Sequence, residues 1–128
     1  MMGFATRIKH LACRTVLGRH FVDRGRADRN AIAITFDDGP MPLYTPRVLD
    51  LLEAHGARGT FFLIGENTEA HRDIVRRMVE GGHEIGNHSM RHRAFGSMPA
   101  GRQLAEIGEA DGLLAQFDGR PQHWFRPP

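Results

Sequence analysis

From residue 31 onward, short unbroken apolar runs alternate with stretches in which apolar residues recur every three or four positions. Ala31-Ile32-Ala33-Ile34-Thr35-Phe36 is one such run, ending at Asp37-Asp38-Gly39-Pro40, and it predicts a strand buried on both faces. Thr45 ahead of Pro46 predicts a helix N-cap followed by a first-turn proline, with Val48, Leu49, Leu51 and Leu52 turned inward and Gly56 as the stop. Thr60-Phe61-Phe62-Leu63-Ile64 predicts a second strand, closed by Gly65. Thr68 is placed to cap a helix with Ile74, Val75, Met78 and Val79 on its inner face, ended by Gly81-Gly82. His83 to His88 predicts a third, weaker strand. From about Pro99, Leu104, Ile107, Ala110, Leu114 and Phe117 fall at helical spacing as far as Gly119, and His123-Trp124-Phe125-Arg126 begins a fourth strand. Repeated strand-helix units predict an α/β fold with a parallel sheet and right-handed crossovers.

Residues 1–30 follow a different pattern. Ile8, Leu11, Cys13, Val16, Leu17 and Phe21 have a loose helical spacing among basic residues, and Val22 to Asn30 is rich in charge. The expected organisation is an N-terminal helical extension and linker over 1–30, then one α/β domain over 31–128. The first segment lacks the continuous apolar stretch and small-residue cleavage site of a signal peptide, so cytoplasm is the expected compartment. No apolar run approaches the ~18 residues of a transmembrane segment.

Composition narrows the picture by exclusion. With 41% hydrophobic and 25% charged residues the chain is an ordinary folding sequence. Its formal net charge of +2 is spread along the chain, so no basic stripe points to nucleic acid. A lone cysteine, Cys13, rules out an internal disulfide and a multi-cysteine zinc site. Histidine stands out, with 8 in 128 residues.

In parallel α/β proteins ligands bind beyond the carboxyl ends of the strands. Asp37 and Asp38 follow the first predicted strand, His88 and His92 the third, and Arg126 the fourth. Adjacent carboxylates at a strand end point in different directions, so one can bind a cation while the other handles protons; the competing reading is a plain turn. Two imidazoles four residues apart reach one metal if the stretch makes a helical turn, the competing reading being two solvated histidines. Taken together, one carboxylate and two neutral imidazoles supply three ligands for Zn²⁺ or a similar ion, leaving a position open for water. A second carboxylate beside that water serves as base, and Arg126 holds it ionised.

The motifs Thr35-Phe36-Asp37-Asp38-Gly39-Pro40, Thr60-Phe61-Phe62-Leu63-Ile64-Gly65, Gly82-His83-Glu84-Ile85-Gly86-Asn87-His88-Ser89-Met90-Arg91-His92 and Phe125-Arg126-Pro127-Pro128 resemble, in that order, those of the polysaccharide deacetylase family. This is the NodB-homology domain of chitin, chitooligosaccharide and peptidoglycan deacetylases. The resemblance implies a (β/α) barrel, of which this chain holds the N-terminal part. It implies Asp37 as the catalytic base, Asp38, His88 and His92 as ligands of a divalent metal, most readily Zn²⁺, Ser89 as a brace of the loop, and Arg126 as the residue orienting the base. It also implies an N-acetylated carbohydrate as substrate. The family's later Leu-x-His motif, whose His is the general acid, has no counterpart here, so the expected activity is impaired.

The alternative is a truncated, inactive relative that binds metal or sugar and self-associates through open sheet edges. A non-haem iron oxygenase also uses two His and one carboxylate, but the alternating helices speak against it. A phosphatase reading of Asp37-Asp38 lacks a phosphate-binding loop.

Overall fold

The computed structural model describes Asp28 and residues 30–128. The expected helix over Met1–Phe21 and most of the linker lie outside the described residues, as do His10, Cys13 and His20. The chain divides into two compact units, Met1–Ala33 and Ile34–Pro128. The second carries the elements described below.

Its order is β1 (Thr35–Gly39), α1 (Thr45–Ala54), β2 (Thr60–Leu63), α2 (Gly65–Ala70), α3 (Arg72–Glu80), β3 (Glu84–Asn87), a 3₁₀ turn (Phe95–Ser97) and α4 (Ala100–Asp118). The strands form a parallel sheet in the order β1-β2-β3. The fold is α/β, built from repeated strand-helix units.

Packing divides the sheet by face. Phe61 and Leu63, two residues apart on β2, share a face with Ile85, the register partner of Phe61. With Leu49 and Leu52 of α1, Ile74, Val75 and Met78 of α3 and Leu114 of α4 they form the core. Phe62 and its register partner Gly86 lie on the opposite face. A Cβ on Gly86 would come within 2.7 Å of the Phe62 ring and 3.1 Å of the Trp124 carbonyl, so only glycine lets the C-terminal segment approach β3 there.

The structure corrects several expectations. The first strand begins at Thr35, and residues 31–34 before it are exposed, not buried on both faces. Among the described residues β1 pairs with β2 alone, and an edge strand has no second neighbour to bury it. Asp37 and Asp38 therefore lie within β1, not beyond it. Thr45 is the first residue of α1 and does not cap it; its hydroxyl accepts a hydrogen bond from the Met41 N–H at 2.8 Å. Leu51 is 63% exposed, because α1 turns Leu49 and Leu52 inward instead. The single helix expected after Thr68 is two, α2 and α3, broken at His71, and Thr68 is buried inside α2. Leu104 of α4 is 71% exposed, while Glu106, Ala110, Leu113 and Leu114 form the buried stripe. The fourth strand is reduced to one parallel bridge, Asn87 to Phe125. Trp124 beside it is 54% exposed.

Candidate metal centre

The site begins at an irregularity in β1. Thr35 and Phe36 pair with Thr60 and Phe61, but the next pair is Gly39 with Leu63, so β1 spends one residue more than β2 over this stretch. Such bulges re-aim side chains. Here the bulged residues are Asp37 and Asp38, and Asp38 takes a left-handed backbone with φ of 67°. Asn67 of α2 donates to the Asp38 carbonyl at 3.0 Å.

The second part follows β3. Ser89 and His92 are also left-handed, with φ of 68° and 51°. Among the described residues, Asp38, Ser89 and His92 are the non-glycine residues at positive φ. Each such residue costs of order 1–3 kcal/mol and persists only where its surroundings over-determine it. The loop is held accordingly: the Ser89 N–H donates to Asn87 Oδ1 at 2.8 Å and the His92 N–H donates to Ser89 Oγ at 3.0 Å. Ser89 thus braces the turn. The expected helical turn is absent; the stretch is a loop whose two left-handed residues curl it until the His88 and His92 ring centroids lie 4.9 Å apart.

Asp38, His88 and His92 converge, each offering one ligand atom, with all of these atoms within 4.8 Å of one another. Asp38 Oδ1 lies 3.3 Å from His88 Nε2 and 3.0 Å from His92 Nε2. His88 Nδ1 is 2.7 Å from the Arg126 carbonyl, which only accepts, so this nitrogen carries the hydrogen. In the neutral ring the lone pair then belongs to Nε2, the atom facing Asp38. Two imidazoles and a carboxylate, one ring oriented by a backbone carbonyl, fit a borderline divalent ion of the zinc type. The His88 side chain is 5% exposed and that of Asp38 59%, so the group is anchored on one flank and open to solvent on the other.

Asp37 stands outside that group. Its Oδ1 accepts from Arg126 Nη1, which also donates to Thr35 Oγ1 at 3.1 Å. The guanidinium lies 4.0 Å from the centroid of the Phe62 ring. Arg126 therefore engages both parts of the site, through its carbonyl to His88 and through its side chain to Asp37.

Two buried groups escaped the sequence reading. Asn87 donates to Asp111 Oδ1 and to the Ile107 carbonyl, both at 2.9 Å. The fully buried His123 side chain lies between Asp111, 3.1 Å from Nδ1, and Asp118, 3.2 Å from Nε2. Together they tie α4 to the end of β3 and to the segment bearing Arg126. Neither has a local signature: Asn87 works through Ile107 and Asp111, and His123 through Asp111 and Asp118, all on α4.

A family model described as Polysaccharide deacetylase matches residues 24–128. A peptidoglycan-N-acetylglucosamine deacetylase of Bacillus cereus is 56% identical over 97 residues, covering 76% of this chain and 45% of that protein. A chitooligosaccharide deacetylase of Sinorhizobium fredii is 41% identical over 92 residues, covering 70% of this chain and 43% of that protein. The solved structure of a family 4 acetyl xylan esterase from Clostridium thermocellum, in complex with a cobalt ion, superposes with a TM-score of 0.70 at 37% identity, over 75% of this chain and 47% of that one. The chain thus spans less than half the length of these relatives.

Proposed function

The chain belongs to the polysaccharide deacetylase family and its fold is part of that family's (β/α) barrel, and on this premise we propose that its site removes acetyl groups from N-acetylated amino-sugar polymers or oligosaccharides with the help of a divalent metal. Residues 31–128 are the N-terminal part of the deacetylase domain in this reading, and 1–30 an extension. The observation that supports it is the convergence of Asp38, His88 and His92. These three hold the ion, zinc by the chemistry of the donors. When bound, the ion supplies a Lewis acid that makes water nucleophilic at neutral pH and polarises the acetyl carbonyl.

The chain's own residues supply the rest. Asp37 is the base and accepts the proton of the attacking water. Arg126 donates to Asp37 Oδ1, which orients the carboxylate and leaves Oδ2 for the proton. The Arg126 carbonyl fixes the His88 ring. None of these residues is assigned to protonate the departing amine.

Elemental analysis of the wild type and of Asp38→Ala and His88→Ala, alongside acetate release from acetylated chitooligosaccharides, tests the reading. Metal in the wild type alone, with acetate release, supports it; full occupancy in either variant overturns it. Metal retention with no acetate favours the second reading, an inactive metal- or sugar-binding relative.

A further inference from the structure

Glu106 of α4 is a carboxylate in a helix stripe otherwise made of Ala110, Leu113 and Leu114. Its side chain is 8% exposed, and an ionised group is that deeply buried only when it is paired. All its partners belong to one short stretch between the two histidines of the site. Oε2 accepts from the Arg91 backbone N–H at 2.8 Å, Oε1 accepts from Arg91 Nη1 at 2.9 Å, and the Glu106 carbonyl accepts from the Met90 N–H at 3.1 Å. The opposite side of the stretch is tied to α2, where the Gly65 and Glu66 N–H groups donate to the Ser89 and Met90 carbonyls, both at 3.0 Å.

We propose that Glu106 is a positioning residue for metal binding, clamping residues 90–91 so that His88 and His92 stay converged. The inference rests on the metal reading of the site given above. Its physical basis is the strain in the loop. Ser89 and His92 hold left-handed backbones that relax toward ordinary φ values once their ties are released, and the rings they carry or flank then separate. From α4, Glu106 holds Met90 and Arg91, the two residues between them, through three hydrogen bonds. The carboxylate touches neither the ligands nor the place of the ion, so it acts through the loop.

The test titrates the full chain with Co²⁺ and follows its visible ligand-field absorption, with metal-free thermal midpoints measured in parallel. Glu106→Gln weakens Co²⁺ binding about tenfold or more and alters the spectrum, as supporting residues of metal sites do. Leu113→Ala loosens the same helix away from the loop and leaves affinity and spectrum close to wild type. Arg91→Met removes the guanidinium bond to Glu106 Oε1 and lowers affinity in the same direction, which keeps the test decisive if Glu106→Gln does not fold. Wild-type affinity in Glu106→Gln or Arg91→Met overturns the inference, as does an equal loss in Leu113→Ala. Failure of the wild type itself to take up Co²⁺ overturns the metal reading and this inference with it.

Discussion

At Asp38 the demands of the site and those of the backbone conflict. Its φ of 67° suits glycine, yet the position carries a carboxylate. Asp38→Gly relieves the backbone and removes a proposed ligand. We expect it to lose bound metal while the metal-free chain melts within about 1 kcal/mol of wild type, since the Asp38 side chain is largely exposed; thermal unfolding in chelator, paired with metal analysis, checks both parts. His83 is a second residue with a readable consequence. Burial first, then the charges of Arg58 and Arg77, hold its pKa below the ordinary 6.5. Its Nδ1 accepts the Gly59 N–H at 3.2 Å, which only the unprotonated nitrogen can do. The unfolded chain therefore takes up the proton first as pH falls. The stability His83 contributes is present above pH 6.5 and is lost as pH drops from there through the folded-state value. Urea midpoints measured between about pH 7.5 and about pH 5.5 fall less in His83→Gln than in wild type.

At the scale of elements, periodicity located the helices better than it located their faces. Leu104 and Leu114 both fit the helical pattern of α4, but Leu104 is 71% exposed and Leu114 1%. Leu114→Ala is expected to cost about 2–5 kcal/mol and Leu104→Ala to stay within about 0.5 kcal/mol of wild type in denaturant titrations. A carboxylate on the buried stripe, Glu106, was the available sign that this helix serves more than the core. The contact of α2 with the loop from His88 to His92 is equally exacting. A Cβ on Gly65 would sit 2.2 Å from Met90 Sδ and 3.0 Å from Met90 Cα. Gly65→Ala therefore pushes the loop outward, and equilibrium dialysis should show weaker metal uptake than in wild type.

At the scale of the molecule, β1 has β2 as its sole strand neighbour among the described residues and is half-buried at most, whereas β3 is largely buried, with the C-terminal segment on its far side. Exposed strand edges are templates for pairing. Size-exclusion chromatography over a range of concentrations is expected to show association that reverses on dilution; a monomer at every concentration refutes it. No helix among the described residues is long and apolar enough to cross a membrane. The candidate ligands were legible as residue types at the ends of predicted strands, since an apolar run, a turn dipeptide and a pair of histidines are local signals. For the same reason the amino-acid sequence by itself determined the strand-helix order, the α/β class and the family likeness. Tertiary structure alone decided that β1 is an edge with a bulge at Asp37 and Asp38, which leucines face inward, and that His88, His92 and Asp38 meet. It also decided that Asn87, Glu106 and His123 are buried. Each of these depends on partners in other elements, brought close by the burial of a shared core, and the spacing along one segment carries no record of them.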